Sequence, residues 1–133
     1  MEAINIWAVL AAAVSSFVLG GLWYSPALFG NTWNRHNGRD PKQASGGRHP
    51  AMVFGVAFVL ALIAAAVFAM VLGQNPPLKE AVKMGAITGA AFVATSFGIN
   101  YAFASRTFVL WLIDAGYHVL QFTLYGVILG LWH

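Results

Sequence analysis

Four long stretches of this chain carry almost no charge, and that decides which solvent its fold can occupy. Ala3 to Asn34, Pro50 to Leu78 and Met84 to Ser105 contain no Asp, Glu, Lys or Arg, and Phe108 to Trp132 holds one acid, Asp114. The apolar cores, about 4–24, 52–72, 81–103 and 108–132, each reach the roughly 20 residues a helix needs to cross a hydrocarbon layer. The runs are continuous rather than alternating, and in lipid every backbone group must bond within its own segment, so they read as helices. Composition agrees. Only 8% of the 133 residues are charged, against about 25% in soluble domains. Seven basic and four acidic side chains are too few to cover a water-soluble domain of this length. The expected architecture is an all-α membrane protein, 1–133 as one domain: a bundle of four transmembrane helices with a short interfacial helix after the first span.

The same inventory excludes several function classes. With no cysteine, disulfides, thiolate metal sites and cysteine nucleophiles are ruled out. The basic residues are not interleaved along a soluble face, so nucleic acid is not an expected partner. The first run begins with the acidic Met-Glu-Ala and is too long for a cleaved signal peptide, so it is read as a retained span.

Charge placement sets an expected orientation. Arg35, Arg39, Lys42 and Arg48 lie in the 25–49 loop, and Arg106 lies in the third turn on the same side; Lys79 and Lys83 lie opposite. The excess puts the 25–49 loop in the cytoplasm and both termini outside, in a bacterial inner membrane. "ASRT" scarcely separates the last two spans, which makes them antiparallel neighbours.

"GGLWYSPALFGNTW" ends the first span. Trp23 and Tyr24 fall at headgroup depth, where amphipathic rings collect. Ser25-Pro26 reads as a helix start, a capping hydroxyl followed by Pro at the first helical position. The helix expected over 26–33 would lie along the membrane surface with Phe29 and Trp33 on its buried side. A plain exit from helix to loop is the alternative.

Together with "DAGYHVLQFTLYGVILGLWH" at the other end of the chain, this stretch resembles a bacterial integral-membrane family, domain of unknown function 1761 (DUF1761). Residues 23 to 26, 29, 30 and 33 match one string, and 116 to 118, 126, 130 and 132 the other. The family carries no established activity, so the resemblance implies architecture and leaves the chemistry open.

The fourth span holds the most informative polar set. Asp114, His118, Gln121 and Tyr125 are spaced to share one helix face. An acid in a membrane helix costs about 2.5–3.5 kcal/mol at the centre on insertion scales, so it marks a function or a paired structural site. Asp114 has three readings: pairing with Arg106 or a loop arginine, a proton or ligand role, or solvation near the interface. His118 is expected to hydrogen-bond Asp114 one turn away rather than hold a metal. Asn100, with Ser96, could join this face in a polar pocket or bond across helices. His36, His49 and His133 are too scattered for a metal set. No catalytic residue, cofactor or metal is expected.

Small residues suggest packing. Ala8, Ala12, Ser16 and Gly20 form a four-residue ladder, and Gly85/Gly89 and Gly126/Gly130 form two more. Such ladders let helix backbones approach closely in lipid, and the first is expected to carry association. Two functions remain open: a structural or accessory protein acting through contacts with itself or a larger complex, and an oligomeric transporter or channel protomer using the Asp114/His118 face.

Overall fold

The computed structural model describes residues 4–36 and 50–133. The basic positions Arg39, Lys42 and Arg48, and the polar half of the 25–49 loop, lie outside the described residues. Among the described residues, six α-helices and one π-helical segment follow in order: α1 (Ile6–Trp23), α2 (Gly30–His36), α3 (Pro50–Leu72), α4 (Leu78–Ile87), the π-helical segment (Thr88–Val93), α5 (Ala94–Phe103) and α6 (Phe108–Leu131). The span α4–π–α5 is continuous, so four helices are long and apolar enough to cross a membrane.

Local chemistry sets the ends of these elements. The Asn5 side chain accepts from the Trp7 and Ala8 amides at 3.1 and 3.2 Å, and the Thr107 hydroxyl accepts from the Leu110 amide at 3.1 Å. Both satisfy amides that the first turn of a helix leaves open. Pro50 opens α3, where its missing N–H is harmless. Left-handed residues close the short turns: Gly73 and Asn75 between α3 and α4, and Ser105 between α5 and α6.

α6 is the hub, in contact with every other helix, while α3 packs mainly on α1. α4 runs antiparallel to α6 at very close range. A Cβ on Gly85 would lie 2.1 Å from the Phe122 carbonyl oxygen, and one on Gly126 would lie 2.3 Å from that of Ala81. Glycine is required at both places because backbone meets backbone. Gly89 meets α6 at His118 and Val119, and Gly130 meets Leu78, so both expected Gly ladders are used inside the chain.

The first ladder is also internal. Ala8, Ala12 and Ser16 are fully buried and Gly20 faces the Tyr117 ring. This face is therefore not available for association, because α3 and α6 already cover it. Burial runs opposite to that of a soluble domain. Ala61, Ala65, Ser16, Asp114 and Gln121 are inside, whereas Phe54, Val59, Ile63 and Val67 of α3 are exposed. That distribution suits lipid as the solvent.

After α1 the structure corrects the expected helix. Residues 25–29 form a tight turn, and the helix begins at Gly30 rather than Pro26. Ser25 does not cap it: its hydroxyl donates back to the Leu22 carbonyl at 2.7 Å. Its carbonyl accepts the Leu28 and Gly30 amides, at 3.0 and 2.9 Å, and the Phe29 amide bonds the Trp23 carbonyl at 3.0 Å. The chain thus folds back on itself and sets α2 against α6.

Candidate functional site

The two strings of the family resemblance, far apart in sequence, meet around Asp114. This residue lies about six positions into α6, roughly 9 Å along its axis, and is 6% exposed. Three elements send donors to its carboxylate. The Tyr24 hydroxyl at the end of α1 and the Trp33 indole of α2, at 3.0 Å, bond Oδ1, and the Tyr101 hydroxyl of α5 bonds Oδ2. A carboxylate only accepts, and every partner here donates, so donors and acceptors match in kind. The donors from described residues are all aromatic, and of the arginines expected as partners Arg39 and Arg48 lie outside the described residues.

The surrounding aromatics fix these donors in place. Trp23 donates from its indole to the Ile113 carbonyl at 2.8 Å, and its ring lies over Gly116, where a Cβ would come within 2.9 Å. Phe29 packs on Trp23 with centroids 4.7 Å apart, and Tyr24 meets Trp33 edge-on at 5.7 Å. Gly30 lets the turn close, since a Cβ there would lie 2.2 Å from the Tyr24 carbonyl oxygen. Trp33 therefore points into the protein, not toward lipid, because Asp114 offers its indole an acceptor that hydrocarbon cannot.

A second polar series runs deeper along α6. His118 Nδ1 lies 2.6 Å from Gln121 Oε1, and because that oxygen only accepts, Nδ1 carries the proton. Gln121 Nε2 donates to the Tyr125 hydroxyl at 2.8 Å. The Tyr125 hydroxyl reaches the Ala61 carbonyl at 3.3 Å and Ser16 Oγ at 3.4 Å, joining α6 to α3 and α1. Tyr117 adds a bond to the Ser16 carbonyl at 3.0 Å. His118 thus bonds Gln121 instead of the expected Asp114. Its ring stacks on Phe97 with centroids 4.8 Å apart.

Asn100 belongs to neither network. It lies on the exposed side of α5, beside Phe92, Ser96 and Phe97 along a shallow groove. Spacing alone could not reveal this, because it does not fix the rotation of one helix against another. Tyr101 and Tyr117 are the residues that sequence reasoning missed. For Tyr101 a signal existed: the short 104–107 turn makes α5 and α6 a hairpin, and that brings position 101 near the start of α6. Among the described residues, every buried side-chain nitrogen and oxygen has a hydrogen-bond partner, and no group of three or more His, Asp or Glu could hold a metal.

The fold and site define an all-α protein with four membrane-length helices, closed at one end around a buried carboxylate. The chain belongs to the family described as protein of unknown function (DUF1761), whose model matches residues 7–130. No curated protein and no solved structure matches it.

Proposed function

We propose that this chain is a small structural or accessory membrane protein that acts through contacts with itself or with a larger membrane complex. One observation carries the reading: the buried carboxylate accepts from three donors on three elements. Asp114 engages both carboxylate oxygens with donors on α1, α2 and α5, which is how a structural tie works. The reading assigns no catalytic step to any residue. It places the 25–49 loop in the cytoplasm of a bacterial inner membrane, supported by the excess of Lys and Arg on that side.

The second reading, an oligomeric transporter or channel protomer, is favoured by the directed series His118–Gln121–Tyr125 through the packed helices. Liposomes containing purified protein and a pH-sensitive dye separate the two. The structural reading expects no flux under an imposed proton or cation gradient. A wild-type flux that Asp114→Asn abolishes, with assembly unchanged, would overturn it in favour of transport.

A further inference from the structure

We infer that the π-helical segment Thr88–Val93 is a register device: it turns α5 so that Tyr101 reaches Asp114. The inference concerns how that donor is delivered, and it holds whichever use the protein makes of Asp114. The first half of the third span is pinned. Gly85 and Gly89 meet the α6 backbone so closely that a Cβ on either would come within 2.1 and 2.6 Å of it, and Ala81, one turn earlier, is fully buried. The second half faces the same helix with other residues. The Trp111 indole donates to the Ala94 carbonyl at 2.9 Å, the Phe97 ring stacks on His118, and the Tyr101 hydroxyl bonds Asp114 Oδ2.

A plain α-helix could not present both sets to α6. At about 100° per residue, Phe97 and Tyr101 would lie roughly 120° and 160° round the axis from Gly85, and Ala94 roughly 180° round. The π-helical segment removes the conflict. Its amides reach five residues back, the Ala94 amide bonding the Gly89 carbonyl, so the span holds one residue more than α geometry allows. One surplus residue corresponds to about 100° of rotation. Subtracting it brings Phe97, Tyr101 and Ala94 to roughly 20°, 60° and 80°, the side that Gly85 and Gly89 already hold against α6. The surplus is carried on the outside, where Ala90, Ala91 and Phe92 are exposed. Thr95 and Ser96 donate to the Ala91 and Phe92 carbonyls at 2.8 and 2.6 Å, and hydroxyls of this kind serve backbone groups where a membrane helix departs from α geometry. Were the segment to close into α-helix with every residue retained, α5 would turn back by about 100° and carry Tyr101 off the carboxylate.

A matched deletion and insertion test the device. In an ordinary α-helix either change rotates everything beyond it by about 100°, and the two do equal harm. Here, deleting Ala90 should leave a plain α-helix with both sets still on α6. One alanine inserted between Ala90 and Ala91 should instead turn Tyr101 away. In lipid nanodiscs the deletion variant should keep a thermal midpoint close to that of the unaltered chain, and the insertion variant should lose much of it or fail to fold. Tyr101→Phe then reads the bond itself. It should lower the midpoint of the deletion variant as much as that of the unaltered chain, because the two changes are independent when the register is kept. Deletion and insertion with equal effects, or a folded deletion variant indifferent to Tyr101→Phe, would overturn the proposal.

Discussion

At Asp114 three donors converge on two oxygens, and each donor comes from a side chain that is itself held by an aromatic neighbour. Hydrogen bonds to charged groups contribute about 1.5–3 kcal/mol each. Tyr101→Phe removes one such bond and leaves the ring packing in place, so unfolding in detergent should show a loss of about 1.5 kcal/mol. Gly30→Ala is more severe although it touches no polar group. Its Cβ would sit 2.2 Å from the Tyr24 carbonyl oxygen, so the 25–29 turn must open and withdraw Trp33 from Asp114. Quenching of Trp33 fluorescence by a water-soluble agent should rise in that variant. Unchanged quenching would mean that the turn does not hold the indole in place.

The elements themselves were mostly legible in the sequence. Uncharged runs announce spans, and the observed helices at 6–23, 50–72, 78–103 and 108–131 follow the expected ones closely. Apolar length is a local property, so one sequence suffices to read it. What the sequence hid depends on which faces meet. Trp33 and Asp114 are 81 positions apart, and nothing local shows that an interfacial tryptophan turns inward. The π-helical segment at Thr88–Val93 was also hidden. It widens the third span where Gly89 meets the His118 and Val119 backbone, and no cap or proline announces it. The Gly pairs were visible as ladders, but not as internal contacts of one chain. Gly85→Ala should therefore destabilise the monomer by about 2 kcal/mol, since its Cβ would meet the α6 backbone. Gly55→Ala, with open space around it, should be neutral or stabilise by up to about 1 kcal/mol as a helix-interior change. Equal effects of the two substitutions on thermal unfolding would contradict the close α4–α6 approach.

Across the whole molecule, polar closure is concentrated at the loop-proximal end and along one side of α6, while the outer surface is apolar. The proposed orientation has its own test. An impermeant thiol reagent applied to intact cells should label Asn75→Cys and not Ser45→Cys, and the reverse pattern would invert the proposed topology. The ends of α1 and α5 and the short α2 all bond Asp114 of α6, the polar tie that gathers them. Removing the acceptors takes a hydrogen-bond partner from each of three part-buried donors, and a donor left unpaired inside a protein costs about 1–3 kcal/mol. An asparagine in the same place retains one carbonyl acceptor, and its amide can donate to a rotated Tyr101 hydroxyl. The most direct test is the thermal unfolding midpoint in lipid nanodiscs of wild type, Asp114→Asn and Asp114→Leu. The account predicts a small drop for Asp114→Asn and a loss of about 3 kcal/mol or more for Asp114→Leu; an Asp114→Leu protein as stable as wild type would contradict it.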